Sequence, residues 1–172
     1  MNDRYTPTFN IHEAVRKTLP YMMEMREYFH AHPELSEKEN DTCKTIFQEL
    51  SLMGIEDVKI IAGTGVTGLI HGALPGPVIL LRADIDALPL TEKFDCPYSS
   101  LVDGVMHACG HDGHAANLLG VAKILNKHKD CLRGTIRLAF QPAEEGNGGA
   151  ARMIDAGILN NPRVDYALGL HY

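Results

Sequence analysis

Residues 78–86, VILLRADID, decide the fold of this chain. Four apolar residues run without interruption into a polar end, which is typical of a strand covered on both faces. Strands of this kind occur mainly in parallel sheets, because the crossover connections place helices over both faces. We therefore predict a strand at Val78–Arg82 in an α/β fold.

The rest of the sequence alternates between strand-like and helix-like apolar spacing. The further predicted strands are 58–61, 67–71, 135–140 and 165–170, and the predicted helices are 11–30, 36–53, 113–128 and 148–156. The second helix is expected to open at a capping box formed by Ser36 and Glu39. Strands alternating with helices predict one α/β domain with a mainly parallel central sheet flanked by helices.

Composition limits the class of function. The 172 residues are 45% hydrophobic, enough for a single core. The net charge of -6 disfavours nucleic acid and acidic membrane surfaces as partners. The four cysteines (Cys43, Cys96, Cys109, Cys131) have no paired CxxC spacing, and no apolar run is long enough for a signal peptide or a membrane span. We expect a soluble, cytoplasmic protein with free thiols that acts on a small molecule.

Polar residues gather directly after the predicted strands. Four blocks stand there: RADIDALP (82–89), MHACGHDGHAA (106–116), QPAEEG (141–146) and GLHY (169–172). In open α/β sheets, ligands bind at the edge formed by the carboxyl ends of the strands. The blocks are therefore the candidate functional residues.

Cys109 and His111 are separated by one glycine, so in an extended segment their side chains point the same way. A thiolate and an imidazole suit zinc, whereas an imidazole with carboxylates also suits manganese. The alternative is a buried thiol beside a loop in which histidine caps a helix. The density of histidine, aspartate and glycine in this block favours metal binding.

Glu144 and Glu145 follow an apolar strand and a proline. Adjacent residues in an extended chain project in opposite directions, so one carboxylate can ligate a metal while the other transfers protons. The alternative is a solvated acidic pair in a turn. The position between an apolar strand and a glycine-rich helix start favours the functional interpretation.

Asp84 and Asp86 alternate about Ile85 and face one side of the strand end, where Arg82 compensates part of their charge. Carboxylates this close resist joint ionisation without a cation. A structural Arg–Asp network is the alternative. His171 stands alone after an apolar run, and spacing alone does not separate a ligand from a core histidine.

These four blocks, together with REYFHAHPELSEKE at 26–39, resemble one family in both content and order. It comprises hippurate hydrolases, N-acyl-amino-acid amidohydrolases and auxin-conjugate hydrolases, a branch of the dinuclear metallopeptidases that includes aminoacylases. The resemblance spans nearly the whole chain. It implies a zinc-exopeptidase-like catalytic domain that hydrolyses the amide bond of N-acyl amino acids.

The resemblance also implies roles for individual residues. The implied ligands of two divalent ions, zinc or manganese, are Cys109, His111, Glu145 and His171. Glu144 is implied as the general base and acid, and Asp86 matches an aspartate that orients a ligand. Asp84 stands where many wider relatives have a ligand histidine, a place the cysteine takes over in this branch. The motif implies no ligand role for His114.

Members of this family are about twice as long as this chain. The resemblance therefore implies that residues 1–172 are the N-terminal part of the catalytic domain, without the lid and dimerisation domain and the C-terminal part of the catalytic domain. The full-length form is expected to be a homodimer or larger homo-oligomer. The alternative is a domain of the same fold that binds metal without turnover.

Overall fold

A computed structural model describes residues 9–146 and 148–171. Its helices are α1 (Ile11–Ala31), α2 (Asn40–Leu52), α3 (His111–Lys127) and α4 (Gly149–Asp155). Its strands are β1 (Glu56–Ile61), β2 (Gly65–His71), β3 (Leu74–Asp84), β4 (Arg133–Gln141) and β5 (Tyr166–Gly169). Each predicted helix and strand is present, with ends that differ by a few residues. Tyr172 of the GLHY block lies outside the described residues.

The five described strands form one sheet in the order β1-β2-β4-β3-β5. Strand β3 pairs in parallel with both β4 and β5, while β2 pairs antiparallel with β1 and β4. Four of these five strands therefore point the same way, and the prediction of an α/β fold with a mainly parallel sheet is confirmed. Asp84 pairs with Gln141, so β3 and β4 end at the same edge.

Apolar side chains cover the two central parallel strands on both faces. The main core lies between the sheet and helices α1, α2 and α3, and its largest fully buried side chains include Phe29, Ile46, Leu119 and Phe140. A smaller cluster on the opposite face joins Leu80, Ala139, Met153 and Ile158. Burial of this apolar surface is the main stabilising contribution to the fold. It fixes the sheet edge on which the polar blocks lie.

The prediction of a capping box at Ser36 and Glu39 is wrong. Helix α2 begins at Asn40, and the carboxylate of Glu34 accepts the backbone N–H groups of Asp41 and Thr42 at 3.2 and 2.8 Å. Glu37 between the two predicted box residues has a φ of 68°, which excludes a right-handed helix there. Ser36 and Glu39 instead bond to the loops of the sheet edge.

None of the helices in the described ranges is both long and apolar enough to cross a membrane. The four cysteines are free thiols, as the absence of paired spacing predicts.

Candidate metal centre

The polar blocks meet at the carboxyl edge of β3, β4 and β5. Asp84 is the last residue of β3, His111 is the first residue of α3, and His171 follows β5. Glu144 and Glu145 follow β4 in the turn that leads to α4. Parallel strands end on the same side of a sheet, so residues far apart in sequence become neighbours here.

Three overlapping groups of residues can each offer three donor atoms that lie within 4.8 Å of one another. The groups are Cys109–His111–His171, Asp84–His111–His114 and His111–Glu144–Glu145. His111 belongs to all three. The structure therefore brings together the four residues predicted as ligands and the predicted general base around one imidazole.

His111 is completely buried. Its Nδ1 is 2.8 Å from the backbone carbonyl oxygen of Asp86, and since a carbonyl only accepts, Nδ1 donates. Its Nε2 has no hydrogen-bond partner among the described residues, and lies 3.6 Å from Asp84 Oδ2 and 3.9 Å from Glu145 Oε1. A neutral imidazole held in this way presents the lone pair of Nε2 to a cation, as metal-binding histidines do.

Negative charge surrounds this nitrogen. Burial alone lowers the pKa of His111, but the hydrogen bond with Asp86 and the charge of Asp84 outweigh burial, so the pKa is raised. The field that favours a proton on the imidazole also favours a metal ion beside it.

The thiol of Cys109 lies 3.5 Å from Nε2 of His171. Desolvation, followed by the hydrogen bond and charge of Glu145, raises the pKa of this thiol to about 11. A thiolate is therefore disfavoured here unless a cation compensates its charge. His171 is exposed, which does not fit a core histidine.

Asp86 holds two segments of the site together. Its Oδ2 accepts the Ser36 hydroxyl at 2.6 Å and the backbone N–H of Glu145 at 3.0 Å. Burial raises the pKa of this carboxyl, but hydrogen bonds from His111, Ser36 and the backbone of Glu145 and Glu144 outweigh it and lower the pKa to about 2. Asp86 therefore stays ionised and positions both His111 and the turn that carries Glu145.

Asp84 belongs to a structural network. Its Oδ2 lies 2.7 Å from Nη1 of Arg82, and its Oδ1 lies 2.5 Å from Nδ1 of His114. The Arg–Asp network that was the alternative for Asp84 is thus present. His114 links it to the site, because its ring centroid lies 4.8 Å from that of His171. In the sequence, His114 stands three residues after His111 within one helix, and this spacing is the signal that both side chains lie on the same side of it.

Sequence reasoning missed a second buried polar network beside the site. His30 lies 2.8 Å from Asp112 Oδ2 through Nδ1 and 3.0 Å from Glu92 Oε1 through Nε2. Arg26 reaches the same Asp112 oxygen at 3.2 Å. Burial lowers the pKa of His30, but the hydrogen bonds that its ring donates to Glu92 and Asp112 outweigh burial, so the pKa is raised. The network ties α1 and the 88–106 loop to the residue after His111.

The donor set fits a divalent transition metal. Sulfur, imidazole nitrogen and carboxylate oxygen are the ligand atoms of zinc sites, and imidazole with carboxylate also suits manganese. The buried Nε2 of His111 has no hydrogen-bond partner among the described residues, which is costly, and a bound cation would satisfy it. Fold and site together define a metal-binding α/β domain.

Comparison with known proteins gives the family. The profile of peptidase family M20/M25/M40 matches residues 80–172, more than half of the chain. The chain belongs to this family. The resemblance of the motifs to the N-acyl-amino-acid amidohydrolases and dinuclear metallopeptidases is confirmed by the relatives that follow.

Thermostable carboxypeptidase 1 of Saccharolobus solfataricus is 48% identical over 160 residues, which cover 91% of this chain and 40% of that protein. An N-acetylcysteine deacetylase of Bacillus subtilis is 47% identical over 152 residues, covering 87% of this chain and 39% of that protein. The crystal structure of Bacillus subtilis YXEP protein, described as a dinuclear metal binding peptidase from the M20 family, has a TM-score of 0.85 at 44% identity. It covers 91% of this chain and 44% of that one. The chain spans about two fifths of the length of these relatives.

Proposed function

We propose that the protein hydrolyses the amide bond of small N-acyl amino acids with the help of two divalent metal ions. The observation that carries the proposal is the convergence of Cys109, His111, Glu145 and His171 beside Glu144, around the unpartnered Nε2 of His111. The relative named an N-acetylcysteine deacetylase supports an N-acyl substrate, and the YXEP protein supports a pair of ions.

The proposed ligands are Cys109, His111, Glu145 and His171. The cysteine thiolate favours zinc, whereas the carboxylate and imidazole donors also suit manganese. When bound, such ions polarise the acyl carbonyl and make water acidic enough to attack it near neutral pH.

Glu144 is the proposed general base and acid. Its side chain belongs to the donor group of His111 and Glu145, yet it remains exposed at the turn. A carboxylate so placed takes the proton of the attacking water and returns it to the leaving amine. Glu145, one residue later, is then left to ligate. Asp86 supports both roles, because it accepts the Glu145 N–H and holds the His111 ring.

We also propose that residues 1–172 supply the N-terminal, metal-binding part of a longer catalytic domain, and that the complete form is a homodimer or larger homo-oligomer. The share of the relatives that the chain spans supports the first statement. Tyr166 and Leu168 on the edge strand β5 are 64% and 62% exposed, which leaves apolar surface for further packing. We propose small molecules of the cytoplasm as the substrates. The protein's net charge of -6 disfavours nucleic acid and acidic membranes as partners.

Metal analysis and an activity assay test this function together. The purified protein is loaded with Zn²⁺ or Mn²⁺, its metal content is measured, and release of free amino acid is followed with acetylated and benzoylated amino acids. Bound metal with turnover supports the proposal. Bound metal without turnover, in a protein that includes the remaining domains of the relatives, favours the alternative of a non-catalytic metal-binding domain.

A further inference from the structure

Glu39 is a buried carboxylate with no exposed surface, and it lies outside the group of proposed ligands. Its Oε1 accepts the backbone N–H of Ala143 at 2.8 Å, across 104 residues of sequence. Its Oε2 accepts the hydroxyl of Thr64 at 2.6 Å. Both oxygens are therefore committed to hydrogen bonds, one of them to the residue directly before the two glutamates.

Ala143 occupies an unfavourable backbone conformation. Its φ is 48°, in the left-handed region that residues with a Cβ rarely adopt. Such a conformation persists only where its surroundings hold it in place. Ala143 is fully buried, its N–H is taken by Glu39, and its carbonyl accepts the N–H of Gly149 at 3.2 Å. The Glu39 bond thus fixes the peptide before Ala143, and the Gly149 bond fixes the peptide after it.

Residues 36–39 contact the turn 143–146 at a second point, through Ser36. Ser36 donates to Asp86 Oδ2, which also accepts the N–H of Glu145. A Cβ on Gly146 would come within 2.8 Å of the Ser36 side chain, so the turn packs directly on that residue. Residues 36–39 therefore form a platform beneath the turn 143–146.

We infer that Glu39 is a positioning residue: by holding Ala143 in its left-handed conformation, it aims the carboxylates of Glu144 and Glu145 at His111. This inference rests on the proposed function, because it concerns how the proposed base and ligand are oriented. It assigns to Glu39 no contact with metal or substrate. Removing both hydrogen bonds should misplace Glu145 and weaken metal binding by about 10- to 100-fold, as is typical when the partner that orients a ligand is lost.

Two substitutions of similar volume separate hydrogen bonding from packing. Glu39→Gln keeps an acceptor for Ala143 N–H and offers a donor to the Thr64 oxygen. Glu39→Met fills the same space but offers neither. Co²⁺ is titrated into each protein, and its visible absorption reports both affinity and coordination geometry. Thermal unfolding is measured on the same samples.

Glu34→Ala is the matched control. It removes the carboxylate that accepts the first N–H groups of α2, and so should lower the melting temperature without altering the Co²⁺ spectrum. We expect a wild-type spectrum and affinity for Glu39→Gln, and an altered spectrum with weakened binding for Glu39→Met.

A folded Glu39→Met with the wild-type spectrum and affinity would overturn the inference alone. If Glu39→Met does not fold, Glu39→Gln still decides, since weakened binding in that variant would contradict a role based on hydrogen bonding. Failure of the wild type to bind Co²⁺ would overturn the proposed metal centre, and this inference with it.

Discussion

Nδ1 of His111 donates to the backbone carbonyl of Asp86 at 2.8 Å, and this one bond leaves Nε2 facing the carboxylates of the site. The same aspartate accepts the N–H of Glu145 through its side chain. Asp86, two residues after the end of β3, thereby orients two proposed ligands that come from different parts of the chain.

Glu144→Gln should slow hydrolysis by roughly 10²- to 10⁴-fold, the range for loss of a general base, while bound metal stays unchanged. An amide cannot take the proton from water, but the four proposed ligands remain. Steady-state kinetics with N-acetyl amino acids, together with metal analysis, measure both effects in the complete protein. Glu24→Gln, on the exposed face of α1, is the control. Unchanged turnover in Glu144→Gln would remove Glu144 from the mechanism.

Asp86→Asn should weaken metal binding by about 10- to 100-fold. Oδ2 accepts both the Glu145 N–H and the Ser36 hydroxyl, and Oδ1 lies 3.3 Å from Nδ1 of His111. An amide nitrogen can only donate, so in either position it faces an N–H donor and one of these contacts is lost. Competition with a chelator of known affinity gives the change in dissociation constant. An affinity equal to that of the wild type would show that Asp86 does not orient the ligands.

The stability of the fold should decline on the alkaline side because of His30. Its folded-state pKa is raised above 6.5, so the protonated ring stabilises the fold fully below about pH 6.5, and this contribution is lost as the pH rises through the folded-state value. Urea unfolding of wild type and His30→Gln from about pH 6 to pH 9 measures the difference.

The two unfolding free energies should converge as the pH rises. His12→Gln, which changes an exposed histidine on the same helix, should keep the wild-type profile. Parallel profiles for wild type and His30→Gln would mean that the bonds to Asp112 and Glu92 do not favour the charged ring.

The purified chain should self-associate through β5. This strand lies at the edge of the sheet, and exposed apolar edge strands pair readily with other chains. Leu168→Lys places a charge on that strand and should shift the population toward monomer, as measured by light scattering. Leu52→Lys, at a more exposed site on α2, should not. A wild-type chain that is already a single monomeric species would contradict this prediction.

The sequence predicts the sheet well because the information is local. The apolar run at 78–81 and its polar end identify a buried strand. The shared direction of parallel strands explains why Glu144 and His171 both lie near His111. By contrast, the spacing of Ser36 and Glu39 matches a local motif, yet their partners Asp86 and Ala143 are 50 and 104 residues away. Local rules cannot reveal such a contact.

The network of His30 and Asp112 was missed for the same reason, since it joins residues 82 apart. The role of His114 beside Asp84 likewise depends on how α3 packs against the end of β3. Periodicity identifies the helix but not the strand residue that its first turn contacts.

Anomalous X-ray diffraction at the zinc absorption edge, from crystals of the zinc-loaded protein, tests the central claim most directly. We predict zinc peaks at this edge of the sheet, about 2.3 Å from the Cys109 sulfur and about 2.0–2.1 Å from Nε2 of His111, with Glu145 and His171 as further ligands of the two ions. Zinc peaks only at other places in the protein, or no peak at this edge of the sheet, would contradict the proposed metal ligands.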